Sequence, residues 1–149
     1  MATQYTAGLS AGQVLTAATM NSIGAAWESY TPTLTQSVTV TKTVNYAKYC
    51  QINKLIVVDV HMTCTGAGTA GNAVLVGLPI TAASVTGRNI GALWLYDAST
   101  NTLYNCASIL NNSTTAKFLY QTGSEWGISP NLALANTDQI SFQFCYEAA

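Results

Sequence analysis

Asn53-Lys54-Leu55-Ile56-Val57-Val58-Asp59-Val60-His61-Met62-Thr63-Cys64 is the stretch that decides the fold. Side chains of a β-strand point alternately to its two faces. Ile56, Val58, Val60, Met62 and Cys64 therefore make one continuous apolar face. The other face is split, with Leu55 and Val57 apolar and Asp59, His61 and Thr63 polar. Part of that second face is expected to be covered too. Asn53-Lys54 reads as a two-residue hairpin turn, because Asn tolerates positive φ. Tyr46 to Ile52 is then the preceding strand.

The same period of two extends outward in both directions. Val38, Val40 and Val44 alternate with Thr39, Thr41 and Thr43. Thr65 to Asn72 is a Gly-rich loop, and Ala73 to Leu78 is a short strand stopped by Pro79. Ile90 to Tyr96 is apolar on both faces, with Ile90, Ala92, Trp94 and Tyr96 on one and Leu93 and Leu95 on the other. Leu103 to Leu110 and Ala116 to Tyr120 follow, separated by turns at Asp97 to Thr100 and Asn111 to Thr114. In Gln139 to Glu147, Ile140, Phe142, Phe144 and Tyr146 alternate with Ser141, Gln143 and Cys145. About eight short strands with turn signals between them predict a mainly β chain, an antiparallel β-sandwich or jelly roll.

The first residues differ. Leu15 to Ile23 predicts a short helix with Thr16 as N-cap. Met20, Ile23 and Trp27 share one face at i, i+3, i+7. A helix this short is unstable alone in water, so it must pack on something. The chain thus divides into an N-terminal segment, 1–29, and a β-domain, 30–149.

Charged residues make up only 7% of the 149 residues, against about one-quarter in a typical soluble domain. Thr, Ser, Asn and Gln must carry solubility instead. The cations Lys42, Lys48, Lys54, Arg88 and Lys117 are scattered, and net charge is −1. Nucleic-acid binding needs clustered cations, so it is not expected. No apolar run approaches the roughly 20 residues of a membrane helix, and Met1 to Ser10 lacks the features of a secretory signal. Cys50, Cys64, Cys106 and Cys145 form no CxxC or Cys/His cluster, so neither zinc nor another metal is expected. Parity allows two disulfides, but free thiols are the expectation without a secretory signal.

Two strands with apolar residues on both faces imply surplus apolar surface. Leu55, Val57, Leu93 and Leu95 exceed what one core absorbs, and monomers avoid large exposed apolar patches. These four are the expected oligomer interface. The competing arrangement has the N-terminal segment folded over them.

Chemistry is sparse. His61 and Asp59 are neighbours on one strand face, a poor triad geometry, and no serine lies in a nucleophile elbow. The acids Glu28, Asp59, Asp97, Glu125, Asp138 and Glu147 form no pair suited to glycoside hydrolysis. Asp97 and Asp138 fall at turns, where local backbone hydrogen bonds are the expectation. No enzyme activity and no cofactor is predicted. Aromatic residues offer the stronger signal. Trp126, Tyr120 and Tyr104 are candidate ligand-binding residues for sugar rings, whereas Trp94 and Tyr96 read as core or interface residues.

Tyr5-Thr6-Ala7-Gly8 with Gly12 to Asn21, Trp27-Glu28-Ser29-Tyr30-Thr31-Pro32-Thr33-Leu34-Thr35, and Tyr49-Cys50-Gln51-Ile52-Asn53-Lys54-Leu55-Ile56-Val57 stand in order along the chain. Leu78-Pro79-Ile80 and Asp138-Gln139-Ile140 to Tyr146-Glu147 follow. Together they resemble tailed-phage virion proteins of the minor tail or head-decoration type. The departures are Asn53 and Asn136-Thr137, where that family usually has Gly. The resemblance implies a jelly-roll-like knob, commonly trimeric, displayed on the virion surface after assembly in the host cytoplasm, with no cofactor and no reaction. On this basis the expected function is a trimeric capsid-surface decoration protein, with major capsid or tail proteins as partners. Its anchor would be Leu15, Met20, Ile23 and Trp27. The alternative is a tail-tip or fibre protein that binds a host receptor or surface glycan.

Overall fold

The computed structural model describes residues 26–83, 86–121 and 123–149. The helix expected within Leu15–Ile23, and with it Leu15, Met20 and Ile23, lies outside the described residues. The elements are β1 (Glu28–Ser29), β2 (Leu34–Gln36), β3 (Val38–Thr39), β4 (Lys42–Ile52), β5 (Leu55–Cys64), β6 (Leu75–Gly77), β7 (Asn89–Asp97), β8 (Thr102–Leu110), β9 (Thr115–Tyr120), β10 (Ser124–Glu125) and β11 (Gln139–Glu147). All pairings are antiparallel, as expected. The strands form one continuous sheet rather than two separately bonded layers, in the order β1-β4-β5-β11-β7-β8-β9-β6-β2-β3, with β10 beside β9.

The sheet curls over its own apolar face. β9 and β11 stand three places apart in the sheet, about 14 Å if flat. Yet the rings of Phe118 and Phe142 lie 6.2 Å apart. Connectivity enforces the curl as well. β3 is the last strand at one edge, and only Val40 and Thr41 separate it from β4 near the other. The expected apolar faces of β5 and β11 fill the interior: Ile56, Val58, Val60, Met62 and Cys64 meet Ile140, Phe142, Phe144 and Tyr146. The β4–β5 turn forms where Asn53-Lys54 predicts it, with Asn53 at φ 55°.

β7 departs from simple alternation. Asn89 pairs with Ile109 and Gly91 with Ser108, so Ile90 is an extra residue in the ladder. A bulge of this kind shifts the phase of everything after it. Ile90, Leu93 and Leu95 consequently all point inward, and Ala92, Trp94 and Tyr96 point outward. This corrects the expected interface: Leu93 is 5% exposed and Leu95 0%, and both belong to the core of the single chain. A second bulge, between Val44 and Tyr46, merges the expected strand at Tyr46–Ile52 with the residues before it into one long β4.

Polar side chains hold the long connections. Gln36 has no exposed surface, and its Nε2 donates to the carbonyls of Asn72 (3.1 Å) and Leu132 (2.7 Å). Its Oε1 accepts from the Leu134 N–H at 2.8 Å. Tyr146 donates its hydroxyl to the Ile80 carbonyl at 2.7 Å, closing the loop after Pro79. Asp97 and Asp138 make the backbone hydrogen bonds expected of turn acids. Asp97 accepts from the Ser99 and Thr100 amides, and Asp138 from those of Ala98 and Ala135.

Candidate functional site

Cross-strand register turns the outer face of the sheet into rows of facing residues. The first row is Ile52, Leu55 and Glu147, and the second is Cys50, Val57 and Cys145. The third runs Lys48, Asp59, Gln143, Ala92 and Ala107. The fourth runs Tyr46, His61, Ser141, Trp94 and Asn105. Chemistry changes along the strands: the first two rows are largely apolar, the next two polar and aromatic.

At the apolar end, Ile52 is 47% exposed and Leu55 46%. Val57 is half-buried between Cys50 and Cys145. β1 pairs with the outer edge of β4 through Glu28–Tyr49 and Ser29–Lys48, and the Tyr49 hydroxyl donates to the Glu28 carboxylate at 2.8 Å. Trp27, one residue earlier, is 48% exposed at the same end of the sheet. The structure therefore brings Leu55, Val57 and Trp27 to one side of the molecule. Leu93 and Leu95 are not with them.

Rows three and four frame an open groove of about 500 Å³. Its side-chain lining is Asp59, Ala92, Trp94, Asn105, Ser141 and Gln143. The cause is local: Ala92, Ala107 and Ser141 are small, so the surface sinks beside the indole of Trp94. Trp94 is half-buried, with the His61 ring 5.8 Å away at 52°. His61 Nε2 lies 3.4 Å from Gln139 Oε1, so its polar contact is with Gln139 and not with Asp59. Among the described residues, Asp59, Asn105, Ser141 and Gln143 have no side-chain hydrogen-bond partner.

The aromatic residues chosen from sequence sit elsewhere. Trp126 has no exposed surface, which corrects its expected place at the surface. Its ring lies 5.9 Å from that of Tyr104, and Tyr104 lies 5.3 Å from Tyr120, both edge to face. The trio closes one end of the core, with Tyr104 and Tyr120 partly buried against it. The groove has no local signature in the sequence, because its members come from four strands. Ala92, Ala107 and Ser141 become neighbours only through cross-strand register, which the sequence does not display.

The four thiols are free. Burial pushes Cys64 and Cys106 up to about 12, leaving both protonated and poorly nucleophilic at neutral pH. Burial also raises Cys50. Cys145 is exposed on the outer face, in the row with Val57. Comparison of the chain with protein-family models, with curated proteins and with solved structures gives no match.

Proposed function

We propose that this chain is a phage virion structural protein, a capsid-surface decoration protein that works as a trimer. Residues 1–29 are its anchor, and residues 30–149 are a jelly-roll-like knob facing outward. The observation that carries the reading is the apolar end of the outer face. Ile52, Leu55 and Trp27 are each about half exposed there, and the half-buried Val57 joins them. Apolar surface of this kind, left wet, costs roughly 25 cal/mol per Å² relative to burial. Contact with sister copies recovers that free energy, and a symmetric assembly does so with one repeated patch.

The location supports the same reading. The N-terminal segment joins the knob through Trp27 and β1, beside that patch. One surface can thus serve both contact between copies and attachment to the shell. The resemblance of Trp27 to Thr35 and of Tyr49 to Val57 to phage virion proteins points the same way. The role calls for no reaction and no cofactor. In the alternative, a receptor-binding tail protein, Trp126 is not available as a contact, because it is buried.

The test is assembly in the presence of a chain lacking residues 1–29. The reading predicts that the truncated knob still folds but is no longer incorporated into particles. Normal incorporation would remove the anchor role.

A further inference from the structure

We propose that the outer-face groove beside Trp94 is a binding site for a neutral saccharide. This goes beyond the structural role above and stands on different residues, in the two rows next to the apolar end.

One wall of the groove is the indole of Trp94, half-buried and set by its strand to face outward. Around it stand Asp59, Asn105, Ser141 and Gln143, whose side chains have no hydrogen-bond partner among the described residues. Amide, hydroxyl and carboxylate groups together both donate and accept. Sugar hydroxyls do the same, and the C–H face of a pyranose ring lies flat on an aromatic ring. A concave site with one aromatic surface and a few convergent polar groups is the usual form of a small-ligand site.

Other ligand classes fit less well. Extended peptides commonly bind by adding a strand to a sheet edge. All four strands under the groove are interior: β5, β11, β7 and β8 are each paired on both sides. No backbone amide is left for a peptide there, so recognition falls to side chains alone. Among the described residues Asp59 is the charged group that lines the groove, while Lys48, next to it in the third row, holds its ammonium 5.4 Å from the Tyr46 ring centroid. Phosphates, nucleic acids and acidic sugars would meet that carboxylate, and a single neighbouring lysine is not the clustered positive charge they need. What remains is an uncharged, hydroxyl-rich ligand with a flat apolar face.

The experiment uses the full chain on an array of neutral glycans. It is followed by nuclear magnetic resonance titration with chitotriose, cellotriose and maltotriose at millimolar concentration, together with any array hit. Binding to a neutral glycan is expected, with shifts in the Trp94 indole N–H and the Asn105 and Gln143 side-chain amides. Trp94→Ala should weaken it about tenfold or more. Ala92→Leu adds bulk only on the outer face and should abolish binding while leaving the amide spectrum of the core unchanged. That variant keeps the test decisive if Trp94→Ala does not fold. A blank array with no shifts, binding confined to charged glycans, or binding that survives Ala92→Leu would each overturn the site. None of these outcomes bears on the assembly role, which sedimentation of the same variants reads separately.

Discussion

Gln36 shows how a polar residue shapes this molecule. Taken from water into the interior, its amide costs free energy unless every group is paired. Here both ends are paired, and the partners come from two loops far apart in sequence, at Asn72 and at Leu132–Leu134. Gly127 has φ 97°, and a Cβ on it would lie 2.3 Å from the Asn72 carbonyl oxygen and 2.6 Å from Gln36 Nε2. The loops thus close tightly around the amide. Replacing Gln36 by Met keeps the volume and orphans these groups, at about 1–3 kcal/mol for each one left unsatisfied. Gln36→Met should therefore lower the urea midpoint with little change in slope. An unchanged midpoint would show that the loops are held by other contacts.

The acids at Asp97 and Asp138 make a second residue-scale case, with opposite shifts. Burial opposes ionisation of Asp97, but hydrogen bonds from Ser99 and Thr100 outweigh it and hold its carboxyl below the ordinary range. Burial raises Asp138 more than the amides of Ala98 and Ala135 lower it, and the charge of Asp97 raises it further. The signs follow from linkage. Asp97 contributes stability that is present above its unfolded pKa and lost as pH falls through the folded one. Asp138 does the reverse, because its protonation in acid relieves a folded-state cost. Asp97→Asn keeps an oxygen for the bonds from the Ser99 amide, the Ser99 hydroxyl and the Thr100 amide but removes the charge, so it should cost about 1 kcal/mol at neutral pH. The difference from the parent chain should close as pH falls through the folded pKa of Asp97. Stability curves that stay parallel down into acid would contradict this.

At the scale of the element, the period-two segments were legible because hydrophobic alternation is a local property. β5 and β11 have the bounds their alternation gives, Leu55–Cys64 and Gln139–Glu147. β7 was legible as a strand but not in its phase. Nothing in Asn89-Ile90-Gly91 announces an extra residue, and one extra residue exchanges the faces of Leu93 and Trp94. Gly91 is where the bulge meets its neighbour: a Cβ there would lie 2.4 Å from the Gln143 carbonyl oxygen and 2.7 Å from Phe144 Cβ. Gly91→Ala should accordingly cost about 1–3 kcal/mol. It should also raise amide exchange along β7 and β11, as read by hydrogen–deuterium exchange. Unaltered exchange would show that the strands separate without strain. The short strands β1, β2 and β10 and the residues around Gln36 were not legible, because two or three residues carry no period and the Thr- and Asn-rich loops carry no apolar face. The groove was hidden for a related reason. Its lining depends on register between strands distant in sequence, and register is fixed by the bulges.

At the scale of the whole molecule, the curled sheet buries one face and turns the other outward. That outer face is divided along the strand direction into an apolar end and a polar groove. Of the four residues expected at an interface, Leu55 and Val57 are on the outer face, whereas Leu93 and Leu95 belong to the core. The role proposed here needs only the first pair, with Ile52 and Trp27 beside them. Sedimentation equilibrium of the full chain, set against the Leu55→Asp, Val57→Asp double variant, tests it most directly. A trimer is expected for the parent chain and a folded monomer for the variant. A parent chain that stays monomeric at every concentration, or a variant that assembles as the parent does, would contradict it.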